Sequence, residues 1–67
     1  MSAELVSHLR DHRLRAGLTQ EELAREVGVT RQTIIAIEKG NYPPSVLLAL
    51  RIARRLGTTV EELFEYD

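Results

Sequence analysis

Arg31 and Gln32 stand side by side in the segment Thr30-Arg31-Gln32-Thr33, and their side chains suit one kind of chemistry. An arginine offers paired donors that match guanine O6 and N7, and a glutamine amide can pair with adenine N6 and N7. The same two residues also serve as ordinary soluble side chains on a helix surface, so the elements around them must decide. Other chemistries find less to work with. The chain has no cysteine, which excludes disulfides and thiolate zinc sites. His8 and His12 lie one helical turn apart, but Leu9 stands where a zinc-protease motif needs glutamate, and no third ligand is evident. Glu21 with Glu22, and Glu61 with Glu62, fall at expected helix starts, where negative charge suits the helix dipole. No glycine-rich phosphate loop or activated nucleophile is present. The expectation is a protein that is not an enzyme, with no metal, no cofactor and no small-molecule ligand.

The chain that must position these residues has 67 residues, enough for a single domain over 1–67 with its core across 9–64. A domain of this size buries only about 60% of the surface its unfolded chain exposes, so good helix packing or a second subunit has to supplement the core. Its aromatic residues are Phe64, Tyr42 and Tyr66, which predicts a core of Leu, Ile, Val and Ala. No stretch is long and apolar enough for a membrane span and no signal peptide is evident, so a cytoplasmic location is expected. The net charge is −1, which taken alone argues mildly against nucleic acid. Its distribution matters more. Arg51, Arg54 and Arg55 stand without an acid between residues 42 and 57, while Glu61, Glu62, Glu65 and Asp67 close the chain without a base. An acidic tail can neutralise the total while a basic face survives elsewhere.

Glycine, threonine and proline divide the chain into five helical segments, and no strand of useful length is indicated. The first runs from about Ala3 to Ala16, with Leu5, Leu9, His12 and Ala16 on one face and Gly17 as its stop. Thr19 and Glu22 form a capping box for the second, whose inner face is Leu23, Ala24 and Val27 and whose end is Gly28. Thr30 caps the third, from Arg31 to about Lys39, with Ile34 and Ile37 inward and Gly40 at its end. Pro43 and Pro44 mark a turn. Ser45 then caps a fourth helix to Leu56, with Leu47, Leu50, Ala53 and Leu56 inward. Thr59 and Glu62 form a second capping box for a short fifth helix through about Phe64.

Two helices joined by a tight glycine turn need specific residue types. Counting Gln20 as the first position, small Ala24 is fifth and Gly28 ninth, while Leu23, Val27, Val29, Ile34 and Ile37 are fourth, eighth, tenth, fifteenth and eighteenth. The small residue lets the helices cross closely, the glycine takes the turn, and the five apolar side chains fill the angle between them. All seven positions agree with a helix-turn-helix.

The run Gly17-Leu18-Thr19-Gln20-Glu21-Glu22-Leu23-Ala24, then Gly28-Val29-Thr30-Arg31-Gln32-Thr33-Ile34, then Ile37-Glu38-Lys39-Gly40 resembles the Cro/C1 (Xre) family of regulators. The likeness continues through Pro44-Ser45 and Ala53 to Gly57, and into Val60-Glu61-Glu62-Leu63-Phe64. It implies an all-α, five-helix lambda-repressor-like domain that binds double-stranded DNA and regulates transcription, usually as a homodimer on an operator.

In the geometry the resemblance implies, the third helix enters the major groove and its first residues reach base edges. Arg31, Gln32, Thr33 and Ala36 are then the base-contacting candidates. Ala36 departs from the family, where a polar residue is common, and leaves an apolar contact. Ile35 also stands where a polar residue is common, and thymine contact, protein contact and simple exposure are all open to it. Gln20, Thr30, Lys39, Asn41 and Tyr42 are the phosphate-contacting candidates, with packing between helices equally open to Tyr42. By resemblance the Gln20 amide also bonds backbone at the start of its helix. Arg13 and Glu38 lie near apolar faces, where charge needs a partner; the resemblance implies an ion pair between the first and third helices.

The expected dimer surface is Val60, Leu63, Phe64 and Tyr66, more apolar surface than so short a segment buries alone; the alternative is that Val60, Leu63 and Phe64 complete the monomer core. With the likeness covering nearly the whole chain, no separate sensor domain is expected, which favours a repressor. The rival is a protein-interaction module of the same fold, such as an antitoxin or a bridge to polymerase.

Overall fold

The computed structural model describes residues 4–67. In chain order these form β1 (Leu5–Ser7), α1 (Leu9–Arg15), α2 (Gln20–Val27), α3 (Arg31–Glu38), α4 (Val46–Leu56), α5 (Val60–Leu63) and β2 (Phe64–Tyr66). Hydroxyl caps start α2, α3, α4 and α5 where the sequence places them, whereas α1 begins after His8 with no side-chain cap. Thr19 Oγ1 accepts from the Glu22 amide at 3.0 Å, and the Thr19 amide donates to Glu22 Oε1 at 2.8 Å. These bonds, the Thr19 backbone amide foremost, hold the Glu22 carboxyl below the usual carboxylate range. The carboxylate's contribution is therefore present above its unfolded pKa and lost as pH falls through the lowered folded one. Thr30, Ser45 and Thr59 accept from the amides of Thr33, Leu48 and Glu62. The second capping box is only half made, because the Glu62 side chain does not return the bond.

Each helix contributes a fully buried side chain to one core: Leu9, Leu23, Ile34 and Ile37, Ile52, and Leu63. Leu18, Val29, Leu56, Val60 and Phe64 pack against it while half-buried. Among the described residues no helix is long and apolar enough to cross a membrane.

The two ends of the chain differ from the expectation of helix throughout. The first helix begins at Leu9, and Leu5–Ser7 is instead a strand paired antiparallel with Phe64–Tyr66, in the register Leu5 to Tyr66, Val6 to Glu65 and Ser7 to Phe64. Ala3, the expected helix start, lies outside the described residues. The pairing extends beyond the strands: the His8 amide donates to the Leu63 carbonyl at 2.8 Å, and the Asp67 amide to the Glu4 carbonyl at 3.0 Å. Each three-residue strand thus finds ladder partners in the other, which an upstream helical turn on β1 would forgo. Ala16, expected inward, is exposed at the end of α1. The fifth helix ends at Leu63 because Phe64 is already extended, with φ −137° and ψ 142°.

The inner face of α4 also differs. Leu48, Ala49, Ile52 and Ala53 are buried, whereas Leu47 and Leu50 are 59% and 54% exposed. Steps of three residues drift about 60° around an α-helix, so Leu47 and Leu56 sit on opposite faces. The buried stripe follows steps of three and four through Leu48, Ala49, Ile52 and Ala53.

Two glycines set the path of the chain near α3. Gly28 closes α2 at φ +82°, and Gly40 follows α3 at φ +77°, a region costly for residues with a Cβ. A Cβ at Gly40 would also lie 2.9 Å from the Leu5 carbonyl oxygen, while one at Gly17, with φ +74°, would meet nothing. Gly17→Ala is therefore expected to cost about 1–2 kcal/mol of stability, and Gly40→Ala roughly 1–3 kcal/mol more. Urea unfolding of the two variants measures the difference; equal costs would show that β1 does not press on Gly40.

Candidate nucleic-acid interface

The residues expected at a DNA surface come mostly from α3 and its ends. Thr30 stands before the first turn in extended backbone, φ −82° and ψ 159°, which brings Arg31 and Gln32 into that turn with both side chains exposed. Their opposite face is fixed by Ile34 and Ile37, both fully buried. Thr33 is half-buried and its hydroxyl lies 3.1 Å from that of Thr30, one of the two donating to the other. At the far end the Lys39 amide donates to Ile35 and the Asn41 amide to Ala36. Lys39, Asn41 and Tyr42 are exposed there, and Ala36 is half-buried. Arg31, Gln32, Ala36 and Lys39 thus share the outward face of one short helix.

What holds this helix at its angle is a buried ionic cluster. Arg13 Nε donates to Glu38 Oε2 at 2.5 Å and Nη2 to Oε1 at 3.3 Å, with the two side chains only 8% and 5% exposed. The remaining guanidinium nitrogen donates to the Leu18 carbonyl at 2.8 Å. Gln20 Nε2 donates to Glu38 Oε1 at 3.1 Å. The Gln20 amide therefore turns to a carboxylate on α3, a tertiary partner that spacing along the chain does not reveal. It sits at the first position of α2, beside amides that the helix leaves unpaired. One cluster orients α1, the start of α2 and α3 together.

The helix-turn-helix family model matches residues 9–63. The chain belongs to the Cro/C1-type helix-turn-helix transcriptional regulators. Members of this family are DNA-binding regulators rather than enzymes. The regulator is 63% identical over 60 residues to an uncharacterized HTH-type transcriptional regulator of Methanothermobacter thermautotrophicus, covering 88% of this chain and 87% of that one. It is 37% identical over 57 residues to the cryptic phage CTXphi transcriptional repressor RstR of Vibrio cholerae, covering 85% of this chain and 51% of the repressor. Among solved structures it resembles the restriction-modification controller protein C.AhdI of Aeromonas hydrophila, with a TM-score of 0.75 and 36% identity over 84% of this chain and 85% of that one.

The second expected surface is partly rearranged. Leu63, expected at a dimer contact, is fully buried in the regulator's own core, and Val60 and Phe64 pack against that core while keeping an exposed edge. Tyr66 is 80% exposed. Beside them lies an apolar face that sequence reasoning missed: Val46, Leu47 and Leu50 of α4 are all exposed, and with Leu5, Val60 and Phe64 they line one open groove. The signal was present in Val46-Leu47-Leu48-Ala49-Leu50, which is apolar all round, more than one buried stripe requires. Arg51, Arg54 and Glu61 are the charged residues among its lining.

The cluster makes a sharp energetic statement. Glu38→Ala leaves the Arg13 guanidinium buried and half-satisfied, which is expected to cost about 3–5 kcal/mol. Replacing both partners, Arg13→Met with Glu38→Leu, is expected to recover most of that loss. Denaturant unfolding of the single and double variants checks both figures; a single-variant cost under about 1 kcal/mol would mean that water reaches the pair.

Proposed function

We propose that this regulator is a repressor that binds an inverted-repeat operator as a homodimer and competes with polymerase for promoter DNA in the cytoplasm. The observation that carries this reading is the placement of Arg31 and Gln32, both exposed in the first turn of a helix whose other face is locked into the core. Arg31 suits guanine and Gln32 suits adenine, and Ala36 follows one turn later on the same face. Thr33, whose hydroxyl is hydrogen-bonded to that of Thr30, stands beside Arg31 and Gln32 in the same turn with a methyl group and an oxygen to offer. The start of α2 at Gln20, with the cap at Thr30 and the group Lys39, Asn41 and Tyr42, brackets α3 with amides, hydroxyls and one cation suited to phosphates. The name of the phage repressor RstR supports the sign of regulation.

The second copy docks on the groove formed by Val46, Leu47, Leu50, Val60 and Phe64, with Tyr66 at its margin. An exposed apolar face of this kind on a small domain is expected to be covered. Arg51, Arg54 and Glu61 in its lining supply both signs of charge, so the face can be self-complementary across a two-fold axis. The two recognition helices would then lie roughly 34 Å apart, one turn of DNA.

Selection from a random duplex library, repeated across a salt series, tests the operator. The expected result is a palindromic site with log affinity falling linearly in log salt. The Arg31→Ala/Gln32→Ala double variant should lose about 1–3 kcal/mol per side chain on that site, with its thermal midpoint unchanged. Weak, sequence-blind binding would instead favour the rival protein-interaction module, for which the same apolar groove is the docking face.

Sedimentation at micromolar concentration tests the dimer. The native chain is expected to be dimeric and Leu50→Glu monomeric, since a carboxylate on that face cannot be buried unpaired. A monomeric native chain would refute this assembly.

A further inference from the structure

Glu38, the one acid of α3, is turned inward to Arg13, but a carboxylate from another part of the fold stands beside the end of the same helix. Glu4, the residue before β1, lines a small open cleft with Leu5, Lys39, Gly40, Asn41 and Pro43. Its backbone is fixed from two sides. The Glu4 carbonyl accepts from the Asp67 amide at 3.0 Å, and the Glu4 amide donates to the Asp67 carbonyl at 3.4 Å. One residue on, the Leu5 carbonyl oxygen approaches Gly40 so closely that a Cβ there would lie 2.9 Å away. Glu4 and Lys39 are both exposed, and among the described residues neither makes a salt bridge. Asp67 does not neutralise Glu4 either. The two exchange both backbone bonds, so their side chains leave the same face of the sheet and set like charges opposite each other. Glu65 is the contrast, because His8 Nε2 lies 2.6 Å from its Oε2.

A phosphate drawn to Lys39 and Asn41 is thereby drawn toward a fixed negative charge as well. Across a solvated cleft such a charge changes an ionic affinity by a few-fold, not by orders of magnitude. We propose that Glu4 limits the affinity of this regulator for DNA, its carboxylate offsetting the attraction of the Lys39–Asn41 turn for the phosphate backbone. This rests on the phosphate reading of Lys39 and Asn41 given above, and adds to it an opposing charge that the paired ends of the chain hold in place. Phosphate attraction is the part of binding that every sequence shares. Glu4 therefore acts on all duplexes alike and leaves base preference to Arg31 and Gln32.

Glu4→Gln removes the charge and keeps the backbone bonds. Anisotropy with the full chain measures its affinity, across a salt series, for the selected operator and for a duplex of unrelated sequence. The expected result is a gain of about threefold to fivefold on both duplexes at low salt, fading as salt screens the cleft, with the thermal midpoint not lowered. Glu62→Gln is the charge-matched control, since the Glu62 side chain makes no capping bond and lies outside the cleft; its gain is expected to stay below about twofold. Lys39→Ala tests the underlying phosphate reading and is expected to reduce the slope of log affinity against log salt by about 0.9. A Glu4→Gln gain no larger than that of Glu62→Gln overturns the limiter, and a reduced slope in Lys39→Ala then leaves the phosphate reading standing. A gain on the operator alone also overturns it, because the residue would then be acting on base recognition. An unchanged slope in Lys39→Ala removes the phosphate reading and the limiter together.

Discussion

A guanidinium taken out of water must find oxygen acceptors, and Arg13 finds them on two other segments: both carboxylate oxygens of Glu38 and the carbonyl of Leu18. Those acceptors lie at the end of α3 and just before α2, so satisfying one side chain of α1 fixes where the helix-turn-helix can sit. Gln20 adds a bond from the start of α2 to the same carboxylate. The angle between α2 and α3 is thereby set twice, by the apolar wedge of Leu23, Val27, Ile34 and Ile37 and by this ionic cluster on the other side. An apolar wedge alone tolerates small slides between helices, because dispersion is weakly directional. A bidentate pair with restricted geometry does not. In the proposed reading, which sets Arg31 and Gln32 over a groove of DNA, directional bonding behind α3 is the more useful constraint.

The remaining apolar surface is divided unequally. The inward stripe of α4 closes the core, and its outward stripe of Val46, Leu47 and Leu50 is left uncovered within the single chain. A chain this short cannot bury both. Phe64 and Val60 mediate between the two, packed on the core while lining the groove. The core and the groove are therefore not independent, and whatever occupies the groove also leans on α5 and β2. On the polar flank, Arg55 reaches Glu26 and so ties α4 to α2 at the surface. This exposed pair adds little stability beside the buried one.

Local chemistry was legible in the sequence and distant chemistry was not. The Thr19 and Glu22 box, the Gly28 turn and the Thr30 cap each lie within a few residues, and the structure has all of them. The placement of Arg31 and Gln32 in the first turn follows directly from that cap. The pair between Arg13 and Glu38 was visible through two charges near apolar faces and through family resemblance, though not the bond from Gln20, whose partner is eighteen residues away. The strands escaped notice because three residues carry too short an alternation to register, and because each finds its partner at the other end of the chain. On α4 the difficulty was excess. With five apolar residues in succession from Val46 to Leu50, periodicity cannot choose a face, and only packing against α2 and α5 does so.

The small sheet joins Leu5 to Tyr66, which makes the described chain nearly a closed ring. Such a contact carries the largest loop-closure entropy available to the domain, whereas neighbouring helices meet after short turns. Folding is then expected to proceed through the helical layers first and to clasp the ends last, with the reverse order on opening. The ring also means that continuity of the backbone is needed less at the ends than elsewhere. A short peptide bridge from Asp67 to Glu4, already joined by hydrogen bonds between their backbones, would let the chain be reopened in the exposed stretch around Pro43. The break would then lie in that turn, leaving the helices and the buried cluster in place.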